Sequence, residues 1–278
     1  MVARRRLLDL RFLVAVALLA AIAVGIDWLI TRPPLIDIGA GLRLAVRTEG
    51  HGRPPVVLQS GLANPLSRYD RLQERIARVT EVLAYERAGI GRSGAGPLPR
   101  TADQLASELH ALLGRLAIER AVLVCHADGC LAARVFAHRF PQQVAALVFI
   151  DPLTEAFYEH MRANPAEWAH ATRSLAGGSR QEWDALAQSA QEASQAWPLP
   201  QVPYVVVTAQ RPFGRWPLAT RADQQAWVQS HEALLGRLGG VTTHLLLPQA
   251  TDGTVLQETS VAAAVIEAVE RARTRSMR

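Results

Sequence analysis

Side chains capable of chemistry crowd one short stretch of the chain. Cys125, His126, Asp128 and Cys130 fall within six residues. That stretch joins a predicted buried strand, Arg120 to Cys125, to a predicted helix, Leu131 to Phe140. Two further carboxylates follow predicted strands. Asp151 comes directly after Val144 to Ile150, and Asp252 lies in the loop after Val241 to Leu247. Three carboxylates in one pocket repel and raise each other's pKa unless a cation sits between them, and oxygen ligands of that kind suit Ca²⁺ or Mg²⁺. Separate solvent-facing positions for Asp128 and Asp252 are the plainer expectation, so no metal site is assigned. The two thiols flank a sharp turn and imply no disulfide framework. Two buried free thiols are expected in preference to a local bridge. His244 falls inside the last predicted strand and no histidine follows it, so an edge or surface strand residue is expected there.

The elements that must position these groups are legible from periodicity. Leu35 to Arg47 reads as a hairpin around Gly39-Ala40-Gly41. Short apolar runs at Pro55 to Gln59, Glu81 to Tyr85, Arg120 to Cys125, Val144 to Ile150, Val202 to Thr208 and Val241 to Leu247 read as buried strands. Helical spacing appears in Ser67 to Val79, in Ala102 to Leu116 (Leu105, Leu109, Leu112, Leu113, Leu116), around Ala219 to Leu238 and in Val261 to Ala272. Buried strands alternating with amphipathic helices predict an α/β fold: a mostly parallel sheet with helices on both faces, the hairpin adding antiparallel strands at one edge. Residues 155–198 break the rhythm. They hold Trp168, Trp183 and Trp197 in helix-forming surroundings and predict a helical cap inserted after the sixth strand.

The N-terminus has a different character. Phe12 to Ile26 carries no charge, and after Asp27 the apolar run continues to Ile30, about the length that spans a bilayer. Arg4, Arg5, Arg6 and Arg11 precede it. The positive-inside rule then predicts an inner-membrane protein with a single-pass anchor over residues 12–30 and an extracytoplasmic domain. The alternative is secretion after signal cleavage, since Ala21-Ile22-Ala23 is an A-x-A pattern. Residues 31–35, with Pro33 and Pro34, read as a stiff linker out of the membrane; residues 1–34 are therefore assigned to the anchor or signal segment and linker, and residues 35–278 to one large α/β domain.

Composition narrows the partners. Apolar residues make up 49% of the chain, enough for a sizeable core. All 30 basic residues are arginine and the net charge is only +5. Arginine does not titrate near neutrality, so part of the high pI reflects that choice. The arginines are scattered apart from the two termini, which argues against nucleic acid.

Two segments carry a family resemblance. Tyr85-Glu86-Arg87-Ala88-Gly89-Ile90-Gly91-Arg92-Ser93 resembles the Y-D-R-x-G-x-G-x-S loop of the α/β-hydrolase superfamily, with Glu for Asp. Leu123-Val124-Cys125-His126-Ala127-Asp128-Gly129-Cys130 resembles its L-V-G-H-S-x-G-G elbow. The likeness covers roughly residues 36–272 and is strongest to membrane-anchored or secreted bacterial members of the prolyl-aminopeptidase-like and esterase-like kind. It implies that a nucleophile stands at the tip of the turn, near the positive end of the helix, with small residues two before and two after it, here Cys125 and Gly129. The tip is Ala127, and a methyl group cannot attack a carbonyl. Shifting the register by one would make Asp128 the tip, as in dehalogenase-like members, but an imidazole at His126 would then clash with the helix. His126 is expected to be a packing residue.

The same resemblance locates the remaining machinery. Counting back from the helix entry at Thr259 puts Asp252 where the base histidine belongs. Asp151 is the candidate acid, or else a cap at the entry to the helical insertion. The backbone amides of Leu62 and Asp128 would form the oxyanion hole. Ser60 departs from the histidine often found before that loop's glycine.

With nucleophile and base both missing, the leading expectation is a pseudo-hydrolase, uncertain as an enzyme and inactive as a serine hydrolase. It would bind a small apolar or acyl ligand beneath the cap, or a protein partner, at the membrane and without a cofactor. The alternative is an active esterase- or peptidase-like hydrolase using non-standard groups. Protease added to spheroplasts is expected to digest the domain; full protection there would reverse the orientation, and a mature N-terminus at Val24 would establish cleavage.

Overall fold

Among the described residues, eight strands and the helices between them arise from the apolar runs read in the sequence. The computed structural model describes residues 33–165, 172–211, 220–240, 242–251 and 253–276. The 12–30 stretch, Trp168 and Asp252 lie outside them. Among the described residues no helix is long and apolar enough to cross a membrane.

The strands are β1 (Leu35–Asp37), β2 (Arg43–Glu49), β3 (Val56–Gln59), β4 (Val82–Tyr85), β5 (Ala121–His126), β6 (Val144–Ile150), β7 (Tyr204–Ala209) and β8 (Thr242–Leu247). They order as β1-β2-β4-β3-β5-β6-β7-β8 in one sheet. β1 and β2 pair antiparallel, as do β2 and β4; the other pairs are parallel. The expected edge hairpin is thus present. Residues of β3 to β7 are buried throughout because helices cover both faces, which is why these strands are continuously apolar rather than alternating.

Alternate residues of the central strands β3 to β7 enter different cores. On β5, Leu123 and Cys125 join one cluster, together with α2 (Ala102–Arg115) and α3 (Gly129–Arg139). Val122 and Val124 join the other, with α1 (Asp70–Ala77) and α8 (Thr259–Ser276). The helix expected from Ser67 begins instead as a 3-10 turn at Leu66–Tyr69 and continues as α1. Thr101 caps α2 through the Gln104 amide.

Between β6 and β7 lie α4 (Glu155–Ala163), α5 (Gly177–Asp184) and α6 (Leu186–Gln195), with no strand among the described residues of 155–198. Thr154 caps α4 by accepting from Phe157. α5 begins against the Gly-rich loop: the Gly178 amide donates to the Gly89 carbonyl at 2.9 Å, and a Cβ on Gly178 would collide with the carbonyl of Ala88. α7 (Arg221–Arg237) follows β7 and opens with a capping box between Thr220 and Asp223.

One expectation about the thiols is corrected. Cys125 and Cys130 are disulfide-bonded, with Cα atoms 5.0 Å apart. The sharp turn itself brings the end of β5 against the first turn of α3, and that approach puts two Cα atoms within bridging range. At a sequence separation of 5, chain-entropy arithmetic gives a stabilisation of about 2 kcal/mol. Non-reduced, denatured protein is expected to show no free thiol by Ellman's reagent. Reduction is expected to lower the urea-unfolding free energy by about that amount. Two titratable thiols in the unreduced protein would contradict the bridge.

Candidate functional site

The turn between β5 and α3 is a left-handed one. Ala127 has φ 48°, whereas Asp128 has φ −64°, so the tip of the elbow is Ala127. A side chain at φ > 0 is strained, and the surroundings over-determine it. The Ala127 amide donates to the Ile150 carbonyl at 3.1 Å, and its own carbonyl accepts from Cys130 at 3.1 Å and Leu153 at 2.9 Å. Gly129 permits the rest: a Cβ there would collide with the Ser60 carbonyl. The elbow stands mid-sheet between β3 and β6, at the carboxyl ends of the parallel strands, where ligands bind in open α/β sheets.

The loop after β3 closes over it. Gly61 lies against both Ala127 and His126, and its amide donates to the Tyr69 hydroxyl at 3.2 Å. Burial pushes the Tyr69 hydroxyl's pKa above its ordinary value, so it stays neutral. His126 is fully buried, and its Nδ1 accepts from the Asn64 amide at 3.3 Å, which fits the expected packing role. Leu62 and Asp128 do come together, but in an unexpected way. The Leu62 amide donates to Asp128 Oδ1 at 2.6 Å. The group expected to serve an external oxyanion is already engaged by an internal carboxylate.

Behind this contact is a residue quoted in the Gly-rich loop but given no role by sequence reasoning. Arg87 is 1% exposed. Its Nε donates to Glu182 Oε1 at 2.8 Å and its Nη2 to Oε2 at 2.5 Å. Nη1 donates to the Ser60 carbonyl and to Ser60 Oγ at 3.0 Å. Asp128 Oδ2 lies 3.8 Å from Nη2. Burial alone would lower the pKa of Arg87; the charge and hydrogen bonds of Glu182 outweigh it and raise it. The guanidinium is permanently charged and bidentately paired. For Asp128, burial pushes the pKa up to about 6, while Arg87 and the Leu62 amide pull it down and Glu182 pushes it up.

Asp151 directly follows β6, and the residue expected to partner it as acid, Asp252, lies outside the described residues. Asp151 caps no helix, that role belonging to Thr154. Its Oδ1 accepts from the Ala209 amide at 3.0 Å and from the Trp227 indole at 2.9 Å, tying the end of β6 to β7 and α7. Its backbone is left-handed too, with φ 47°. Beside it runs a hydrogen-bond chain with a fixed sense. His231 Nε2 faces the Pro152 carbonyl at 2.8 Å and must carry the proton. Its Nδ1 therefore accepts from the Thr208 hydroxyl at 2.9 Å, and His244 Nε2 donates to that hydroxyl at 2.9 Å. Burial holds the His231 pKa down to about 3, so the ring is neutral. His244 sits on β8, the edge strand, as expected. Asp252, expected at the base position, lies outside the described residues, and among the described residues no group of three or more His, Cys, Asp or Glu could hold a metal ion.

Comparison with known proteins gives a consistent picture. Residues 54–196 match the family model described as alpha/beta hydrolase fold. A curated relative, an AB hydrolase superfamily protein of Gibberella zeae, is 28% identical over 130 residues, covering 45% of this chain and 39% of the relative. The chain thus spans well under half the length of the curated relatives it matches. Among solved structures, an enol-lactonase from Burkholderia xenovorans aligns with TM-score 0.57 and 18% identity, covering 85% of this chain and all of that one. A thermophilic esterase from Thermogutta terrifontis aligns with TM-score 0.62 and 17% identity, covering 87% and 98%. At such identities the structures speak for the fold alone.

The Asp128 environment predicts a pH dependence. A carboxyl whose folded pKa is raised binds more protons folded than unfolded between about pH 4 and 6, so stability falls as pH rises through that window. Asp128→Asn keeps an acceptor for Leu62 and removes the charge. Relative to wild type, the variant is expected to gain about 2 kcal/mol in urea-unfolding free energy between pH 4 and pH 7. A wild-type-minus-variant difference independent of pH would contradict the raised pKa.

Proposed function

The chain belongs to the α/β-hydrolase fold family, and from that premise we propose that it is a pseudo-hydrolase that binds a small ligand in the cleft over the elbow without covalent chemistry. The carrying observation is double. The tip of the elbow is the methyl of Ala127, and the Leu62 amide that would stabilise a tetrahedral oxyanion is bonded to Asp128. Nucleophilic attack needs an activated heteroatom, and oxyanion stabilisation needs donors aimed at the developing charge. Neither requirement is met by these two residues. Asp252 at the expected base position in the sequence is a third departure. Asp151, the candidate acid, is held by an amide and an indole, a bracing role that needs no catalytic partner.

The proposed setting is the membrane, with residues 12–30 as anchor and the domain on the extracytoplasmic side. The arginines before Phe12 and the uncharged run that follows support it. So does the Cys125–Cys130 disulfide, since such bonds persist in oxidising compartments. The helices between β6 and β7 are read as a cap over the ligand, anchored through Glu182.

Domain 31–278, purified oxidised, is expected to hydrolyse short-chain p-nitrophenyl esters no faster than a heat-denatured control and to remain unlabelled by a fluorophosphonate. Turnover above about 1 s⁻¹, ordinary for an enzyme, or stoichiometric labelling, would sink this reading in favour of an active hydrolase with non-standard groups.

A further inference from the structure

We propose that the cleft over the elbow selects ligands bearing a primary ammonium group, which docks on the Asp128 carboxylate at the position a hydrolase keeps for an oxyanion. The inference deepens the binding-site reading above and rests on it. Its basis is the polarity of the floor. In a working elbow the loop after β3 and the start of the helix present N–H donors to the cleft. Here the Leu62 donor is consumed by Asp128 Oδ1 at 2.6 Å. What the floor offers in exchange is a carboxylate, an acceptor and an anion.

Charge counting among the described residues of this cluster leaves it with a net negative charge. Arg87 is the cation of this cluster, and Glu182 takes it bidentately at 2.8 and 2.5 Å. A third donor, Nη1, is turned to Ser60. Asp128 Oδ2 is left 3.8 Å from Nη2, longer than a hydrogen bond. Arg87 and Glu182 neutralise each other, so the three groups together carry one excess negative charge when Asp128 is ionised. The carboxylate's side chain is still 16% exposed, unlike those of Arg87 and Glu182, so it is the member of the trio that a ligand reaches. Glu182, packed close by, disfavours a second anion there, as does Asp128 itself.

An organic ammonium fits this floor better than a metal ion. Divalent cations want six or more oxygen ligands, or several carboxylates with waters, and the described residues assemble no such group. An ammonium needs one carboxylate and brings its own three donors. The carbon next to it would rest on the Ala127 methyl, which stands where a nucleophile would be in the family's elbow and presents no polar atom. Loss of the hydroxyl and gain of the carboxylate therefore act together: one removes a group that would attack, the other adds a group that would hold.

The test uses three probes of one shape, n-hexylamine, n-hexanol and n-hexanoate, with dissociation constants measured by ligand-observed NMR at pH 7.5 on oxidised protein. None contains a hydrolysable bond, so the outcome is independent of whether esters are cleaved. Hexylamine is expected to bind at least about tenfold more tightly than hexanol, and hexanoate most weakly. Asp128→Asn, checked for folding by circular dichroism, is expected to bring the amine within about twofold of the alcohol. Hexanoate binding as tightly as hexylamine, or no saturable amine binding, would overturn the proposal on wild-type protein alone, whether or not the variant folds. An amine preference that survives in folded Asp128→Asn would overturn it as well. Fluorophosphonate labelling without a change in this ranking would reject the pseudo-hydrolase reading and leave the ammonium site standing.

Discussion

Arg87 and its three partners fix the relation between the parts of the site. The guanidinium is buried where desolvation of a lone charge would cost several kcal/mol, so it must be fully served. Each partner belongs to a different element. Glu182 comes from α5 in the insertion after β6, Ser60 from the loop after β3, and Asp128 from the elbow. Satisfying one charge therefore sets the insertion, the loop and the elbow in a single arrangement. Removing Arg87 would strand Glu182 as an unpaired buried ion, a loss of about 3–5 kcal/mol in such cases. The contact is better understood as a constraint on geometry than as net stabilisation, because a well-packed apolar replacement of the whole pair is often no less stable.

The shape of the elbow is likewise held independently of any reacting side chain. The left-handed turn at Ala127 is held by backbone bonds to Ile150, Cys130 and Leu153 and by the close approach of Gly129 to Ser60. None of these uses a nucleophile's side chain. The disulfide adds a covalent tie across the same turn. Cys125, at the end of β5, is thereby tied to Cys130 in the first turn of α3. Asp151 works in the same sense from the next strand, joining β6 to β7 and α7 through an amide and an indole.

The sheet and its covering helices were legible in the sequence because they depend on local periodicity. Val144 to Ile150 coincides with β6 at both ends, and the hairpin and the strand-free run after β6 follow from pattern alone. The elbow was legible through the resemblance of Leu123 to Cys130 to a family motif, which implies small residues at Cys125 and Gly129 around the tip at Ala127. What the sequence hides is pairing at long range. Glu182 is 95 residues from Arg87 and lies in a helix with no pattern to single it out. The occupancy of the Leu62 amide leaves no trace, because a backbone donor has the same identity whatever residue carries it. The cysteine bridge was missed for a related reason. Spacing tells how much chain lies between two thiols, whereas the folded turn decides how near they come.

On the proposed reading, the internal carboxylate separates two ways of losing an activity. A chain that had shed only its serine would keep an open pair of amide donors, and a carbonyl ligand would still find them. Here any carbonyl must compete with a charge-assisted bond, a class worth about 1.5–3 kcal/mol, made by a group already held in place at no cost in translational freedom. An intramolecular competitor of that kind wins against a weak acyl ligand at ordinary concentrations. On the proposed reading the site has changed sign as well as lost its reagent: an internal carboxylate occupies the Leu62 amide that would otherwise receive an oxyanion.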